Sequence, residues 1–178
     1  MPAPSLPLNE SERYSALMGH NLRQNQLWDA EANELVRKAV HDFGVSQAAI
    51  ALVGKDTVYF AAAAGTDFHK LPRELSFCGY AIHSRNPLVV PNAAQDIRFA
   101  DNPLVAGPPF VRFYAGAPLV DADGYCLGTF CIVDMNPRSM LEQEVSQLVS
   151  LSVQAMRRID FLSVISELRL LSGDALLV

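Results

Sequence analysis

The chain of 178 residues contains no run of about 18 apolar residues, the length a membrane-spanning helix needs. It also lacks the basic-then-apolar opening of a secretory signal. Residues 1–8 hold three prolines and no Lys or Arg, and read as an extended or disordered arm. Cysteine is scarce: three residues, an odd count without metal spacing, which points to a reducing compartment and a cytoplasmic location. Positive charge is scarce too. Lys and Arg total 14 against 19 Asp and Glu, giving a net charge of -5, and the basic residues are scattered apart from Arg157-Arg158. This leaves no electrostatic footprint for nucleic acid. His20, His41, His69 and His83 have no spacing that places two on one face of an element, so no metal site is expected, while a single axial haem ligand stays open. Glycines do not form a phosphate-cradling pattern before a helix.

Half of the residues are apolar, and a one-domain chain of this length buries roughly 70% of its extended surface. The most informative stretch is Phe110 to Asp134. Phe110 to Val120 is rich in β-branched and aromatic residues, Asp121-Ala-Asp-Gly124 supplies turn residues, and Tyr125 to Asp134 runs back as a second strand. Alternation groups Phe113, Ala115, Ala117 and Leu119 on one face with Cys126, Gly128, Phe130 and Ile132. Arg112, Tyr114, Gly116 and Pro118 face the other way with Tyr125, Leu127, Thr129, Cys131 and Val133. The first face is suited to covering helices. The second, mixing polar and small groups, is suited to a cavity.

Around this hairpin the order of elements follows from periodicity and turn chemistry. Glu10 to Gln26 reads as a modestly amphipathic helix. Trp28 to Phe43 is a clearer one, with apolar positions at Leu35, Val36, Ala39, Val40 and Phe43 and Gly44 placed as a left-handed stop. Ala48 to Val53 and Thr57 to Ala64 form another hairpin about Gly54-Lys-Asp56. A short helix capped by Ser76 lies within Leu71 to Ser84, and Leu88-Val-Val90 is a brief strand. Asn92 to Pro109 reads as a long irregular loop with one or two helical turns. Ser139 and Glu142 suggest a capping box opening a last helix of about 48 Å, from Ser139 to Leu171 with Gly173 as its stop. That length overhangs a domain of about 40 Å. Val153, Met156, Phe161, Val164, Ile165, Leu168 and Leu170 make it apolar on more than one face, more than one sheet covers, which predicts a partner helix with Leu148, Ser152, Ala155, Ile159 and Leu162 as the candidate contacts.

Arg112-Phe-Tyr-Ala-Gly-Ala-Pro-Leu119, the Asp-Gly turn and Leu127-Gly-Thr-Phe-Cys-Ile-Val-Asp134 resemble the central hairpin of a GAF domain. Ser76-Phe-Cys-Gly-Tyr-Ala-Ile82, Pro87-Leu-Val-Val-Pro91 and Asp96-Ile-Arg-Phe-Ala-Asp-Asn-Pro103 follow the order found in GAF domains that accompany histidine kinases and diguanylate cyclases. The resemblance implies an α+β (α/β) sandwich: a mostly antiparallel sheet of five or six strands, terminal helices on one face, and loops over a ligand cavity on the other. It divides the chain into a lead-in segment 1–27, a GAF domain 28–160 and an extension 161–178. It further implies a small-molecule sensor acting as a homodimer through its last helix, with a separate signalling partner such as a kinase or cyclase, because the chain ends at Val178 without an output domain.

Within that frame the candidate ligand-binding residues are Cys78, Asp96, Arg98, Phe99, Arg112, Tyr114, Thr129 and Cys131. A charged pair of Asp96 with Arg98 or Arg112 either meets a polar ligand or ties the loop down by charge-assisted hydrogen bonds. Phe99 reads as core before lid. The Asn-Lys-Phe-Asp-Glu motif of cyclic-nucleotide-binding GAF domains is absent, and no Cys-His pair marks a bilin attachment site, so the cofactor is unknown. Two alternatives stand beside the sensor: a ligand-free dimerisation scaffold, and a thiol enzyme resembling free methionine sulfoxide reductases. For the second, alternation puts Cys126 and Cys131 on opposite sides of one strand, and Cys78, on the short helix, either approaches Cys131 or, like the other two, is a small buried residue of the core.

Overall fold

The hairpin pattern is realised as the middle of a six-stranded sheet. The computed structural model describes residues 4–20 and 30–171, the side chains of 169 and 170 excepted. Helix α1 (Glu10–Gly19) precedes α2 (Ala30–Phe43) and the hairpin β1 (Gln47–Val53) and β2 (Thr57–Ala64). Then come β3 (Lys70–Pro72), a 3-10 turn (Arg73–Leu75), α3 (Cys78–Ala81), β4 (Leu88–Val90) and α4 (Pro103–Ala106). The chain closes with β5 (Phe113–Val120), β6 (Cys126–Asp134) and α5 (Glu142–Leu171). All neighbouring strands pair antiparallel in the order β3-β2-β1-β6-β5-β4. The alanines of β2 are strand despite their helical propensity, because Ala62, Ala63 and Ala64 pair into the ladder with β1, Ala61 being the extra residue of a bulge opposite Ile50 and Ala51. Residues 21–29 and 172–178, which include Trp28 and Gly173, lie outside the described residues.

Two cores flank the sheet. On one face α2 packs on β1 and β2 and α5 on β5 and β6, burying Val36, Ile50, Phe113, Leu119, Phe130, Ile132 and Leu148. The other face carries Val53, Val58, Val90, Tyr114 and Cys131 beneath α3, α4 and the loop between β4 and β5. Gly44 ends α2 with φ +59°, as its position after Phe43 predicts.

The alternation expected along β6 fails at one point. Leu127, placed by sequence on the mixed face, lies in the helix-side core, and Cys126 lies in the opposite cluster with Cys131. The cause is a bulge: Leu119 pairs with Gly128 but Val120 pairs with Cys126, so Leu127 is an extra residue that shifts the alternation by one. Gly128 permits it. A Cβ there would stand 1.9 Å from the carbonyl oxygen of Ala51 on β1.

The start of α5 also differs from expectation by two residues. Leu141, not Ser139, is the capping position: its carbonyl accepts the first helical bond from Val145 N–H at 3.0 Å, and its own N–H donates to Glu144 at 2.8 Å. Arg138 donates to the same carboxylate at 2.5 Å, so Glu144 rather than Glu142 closes the box. Glu144→Ala is therefore expected to cost about 1 kcal/mol in urea unfolding and to speed amide exchange at Leu141.

The face of α5 expected to pair with a partner is already occupied. Leu148, Ser152, Ala155 and Ile159 are buried in the protomer itself, and Leu162 is half-buried. Among the described side chains of α5, the large apolar ones that remain exposed are Val149, Val153, Phe161, Val164, Leu168 and Leu171. The apolar positions of the sequence belong to two stripes, and only the sheet decides which is covered.

Candidate functional site

The candidate site lies on the face of the sheet covered by α3, α4 and the long loop. Asn102 holds that cover in place. Fully buried, its side chain accepts from Leu104 N–H at 2.9 Å to cap α4 and donates to the Leu75 carbonyl at 2.8 Å, joining the loop to the 3-10 turn. The Asn-Pro dipeptide signals a helix start, but nothing local signals the contact with Leu75. Ser76 accepts from Cys78 N–H at 3.1 Å, so it does help to begin α3, one residue ahead of the cap position Phe77.

Beneath this cover the rings of Phe99, Phe77 and Tyr114 lie stacked, with centroids 4.3 Å and 5.0 Å apart, and Tyr80 meets Phe99 edge-on. Phe99 is completely buried and belongs to this core. Tyr114 lies along the sheet because the residue two positions on is glycine. A Cβ on Gly116 would stand 2.2 Å from the Tyr114 hydroxyl, which instead reaches over to donate to Cys78 Sγ at 3.5 Å. Gly116→Ala should lift the ring and cost about 1–3 kcal/mol, read by chemical denaturation.

What remains is a cavity of about 70 Å³ whose walls include Ser76, Phe77, Cys78, Tyr114 and Cys131 and whose mouth lies by Thr66 and the half-exposed Phe68. Pockets for drug-sized ligands run to about 300–1,000 Å³. Cys78 and Cys131 both line this cavity, and Thr129 is buried beside them. The hydrogen bond with Cys131 lowers Cys78 to about 6 against the effect of burial, helped by Thr129, Ser76 and Tyr114. Its bond to Cys78, and then burial, push Cys131 well up. The two sulfurs titrate as one unit.

The charged candidates lie elsewhere. Arg98 forms a two-point pair with Asp96 at 2.9 and 2.6 Å, and this bond holds the Asp96 carboxyl below its ordinary range. Neither residue lines the cavity. Arg112 donates to the carbonyls of Val105 and Val111 at 2.9 and 3.0 Å and sits over the Phe110 ring, outside the cavity wall. These three tie the loop down. None of the four histidines lines the cavity, and among the described residues no group of three His, Cys, Asp or Glu is placed to hold a metal.

A second polar cluster was not foreseen. Glu10 of α1 accepts from Arg13 at 2.8 and 2.9 Å and from Arg73 of the 3-10 turn at 2.5 and 3.2 Å. Arg73 also donates to the Gly54 carbonyl at 3.0 Å. At its other end α1 reaches α5 through His20 and Asp160, 3.1 Å apart. The Glu10–Arg13 spacing of three is an ordinary helix pair, and nothing local reveals that Arg73, 63 positions on, joins it.

The profile of the GAF domain family matches residues 28–159. The chain belongs to the GAF domain family. A cyclic di-GMP phosphodiesterase of Pseudomonas aeruginosa is 36% identical to it over 160 residues, covering 89% of this chain but 27% of that protein, so the chain spans about a quarter of that relative. Among solved structures, the GAF domain of an Acinetobacter phosphoenolpyruvate-protein phosphotransferase matches with a TM-score of 0.62 at 17% identity, over 88% of this chain and 96% of that one. The free methionine-R-sulfoxide reductase of Neisseria meningitidis, in complex with its substrate, matches with a TM-score of 0.63 at 17% identity, over 88% of each chain. At that identity the likeness establishes the GAF fold. GAF domains form a family of signalling and sensor modules, and among the described residues no helix is long and apolar enough to cross a membrane.

Proposed function

We propose that this GAF domain is a regulatory module that signals by pairing its last helix with that of a second copy, and that its output is coupled to cyclic di-GMP turnover. The observation that carries the reading is the exposed stripe Val149, Val153, Phe161, Val164, Leu168 and Leu171 along a helix of 30 residues, about 45 Å. Exposed Arg157 and Asp160 divide the stripe into Val149 with Val153 and the longer patch from Phe161 to Leu171, and an exposed apolar patch on a helix is a common mark of an interface. The relative that acts on cyclic di-GMP supports the coupling. A cavity of about 70 Å³ supports an effector of only a few heavy atoms, unless the Phe99–Phe77 stack moves to admit a larger one. Effector and pairing are then linked only if the effector binds the two helix arrangements with different affinity. No turnover is assigned to the domain itself in this reading.

Sedimentation velocity on the full chain tests it. A dimer at micromolar concentration supports the reading, and a monomer at every concentration up to about 100 μM would overturn it.

A further inference from the structure

The sulfur pair in the cavity is not used by helix pairing. Cys78 opens α3 and Cys131 lies mid-strand in β6, yet both line one cavity, and the Tyr114 hydroxyl 3.5 Å from Cys78 Sγ lies over Gly116, the register partner of Cys131. Both are nearly inaccessible, and no charged side chain lines the cavity beside them. The site is nevertheless polar at the sulfurs. The Tyr114 hydroxyl is 3.5 Å from Cys78, and Thr129 Oγ1, buried without a hydrogen-bond partner of standard geometry, stands close enough to act on both sulfurs. Cys126 differs: its thiol points to the Ser84 carbonyl at 3.6 Å, and burial raises it.

Two neighbouring thiols, one of them acidified, form a nucleophile with a second sulfur in reach. The cavity beside them has room for about two molecules of water size, since each occupies about 30 Å³ in the liquid. A nucleotide does not fit there, but hydrogen peroxide does.

We propose that Cys78 and Cys131 form a reversible dithiol–disulfide couple, oxidised by hydrogen peroxide that enters this cavity. The Cys78 thiolate, its proton having passed to solvent, attacks one peroxide oxygen. The O–O bond breaks, and the departing hydroxide takes up a proton as water, leaving Cys78 as a sulfenic acid. The Cys131 sulfur then attacks the Cys78 sulfur, the S–O bond breaks, and the hydroxide leaves with the Cys131 proton as the second water. Two thiols are oxidised to a disulfide and one peroxide is reduced to two waters. An external dithiol restores both thiols by exchange. The bond ties α3 to the sheet and alters the sulfur that accepts from Tyr114. This inference does not depend on helix pairing.

The test uses the full chain, as wild type and as Cys126→Ser. The latter matters because Cys126 and Cys131 share the tryptic peptide 113–138, whereas Cys78 falls in 74–85. Treated folded with hydrogen peroxide, Cys126→Ser should lose two hydrogens by intact mass and both thiols by titration. It should yield 74–85 linked to 113–138, and dithiothreitol should reverse all three changes. With Cys131→Ser added, Cys78 should stop at a sulfenic acid captured by dimedone. The proposal is overturned if the folded thiols survive peroxide that oxidises the unfolded chain. It is equally overturned if Cys78 gains two or three oxygens without a cross-link, or if the disulfide joins two copies.

Discussion

Glu10→Gln is expected to destabilise the domain by about 3–5 kcal/mol in urea unfolding at neutral pH, because it leaves two buried guanidinium groups without their counter-charge. Arg13 is 1% exposed and Arg73 4%, and Glu10 is the carboxylate that pairs with both. Arg73 would keep the neutral Gly54 and Lys55 carbonyls, at 3.0 and 3.4 Å, but no counter-charge, and Arg13 Nη1 and Arg73 Nε already lack a partner. The pH dependence gives an independent check. Burial raises the Glu10 carboxyl, but hydrogen bonds from Arg13 and Arg73 outweigh it and hold it at about 2, below an ordinary 4.5. A folded-state value below the unfolded one means that the contribution is fully present above 4.5 and is lost as pH falls from there through about 2. The depression corresponds to about 3 kcal/mol. The stability gap between wild type and Glu10→Gln should therefore narrow by about that amount across this window. A gap that stays constant with pH would show that the carboxylate is not ionised against the arginines.

The double substitution Val164→Glu with Leu168→Glu should raise the dimer dissociation constant at least about 100-fold, equivalent to about 2.7 kcal/mol. The two side chains lie one turn apart on the exposed stripe of α5, so both carboxylates would meet their like on a paired helix. Because both residues are exposed in the protomer, its own unfolding midpoint should stay within the range of surface substitutions. Gln154→Glu, on an exposed position of α5 that hydrogen-bonds back to Ser150, is the matching control and should leave association unchanged. A dimer that survives the double substitution would place the interface on another surface.

Much of the architecture was legible because it rests on local chemistry. The turn at Asp121 to Gly124 is closed by Asp121 accepting from Tyr125 N–H at 2.7 Å, as the residue types imply. The alternation of Phe113, Ala115, Ala117 and Leu119 places them all in the helix-side core. The order of elements left Cys78 either within reach of Cys131 or simply packed in the core, and only the folded sheet put both on one cavity wall. The bulge at Leu127 was not legible, since nothing in Cys-Leu-Gly distinguishes an extra residue from an ordinary step until β5 sets the register. That α5 is apolar on more than one face was legible, but which face the sheet covers was not, for the same reason.

The amino-acid sequence by itself determined most of the order of strands and helices, though not the short edge strand β3, and the hairpin at the centre of the sheet, because periodicity and turn residues act over a few positions; the motifs quoted above carried the resemblance to the GAF family. Only the tertiary structure decided that Asp96, Arg98 and Arg112 tie down the loop, and that rings fill the site to about 70 Å³. It alone joined Glu10, Arg13 and Arg73 in one buried cluster. Those outcomes depend on which distant side chains compete for the same volume and the same hydrogen bonds, and that competition exists only once the sheet has brought them together.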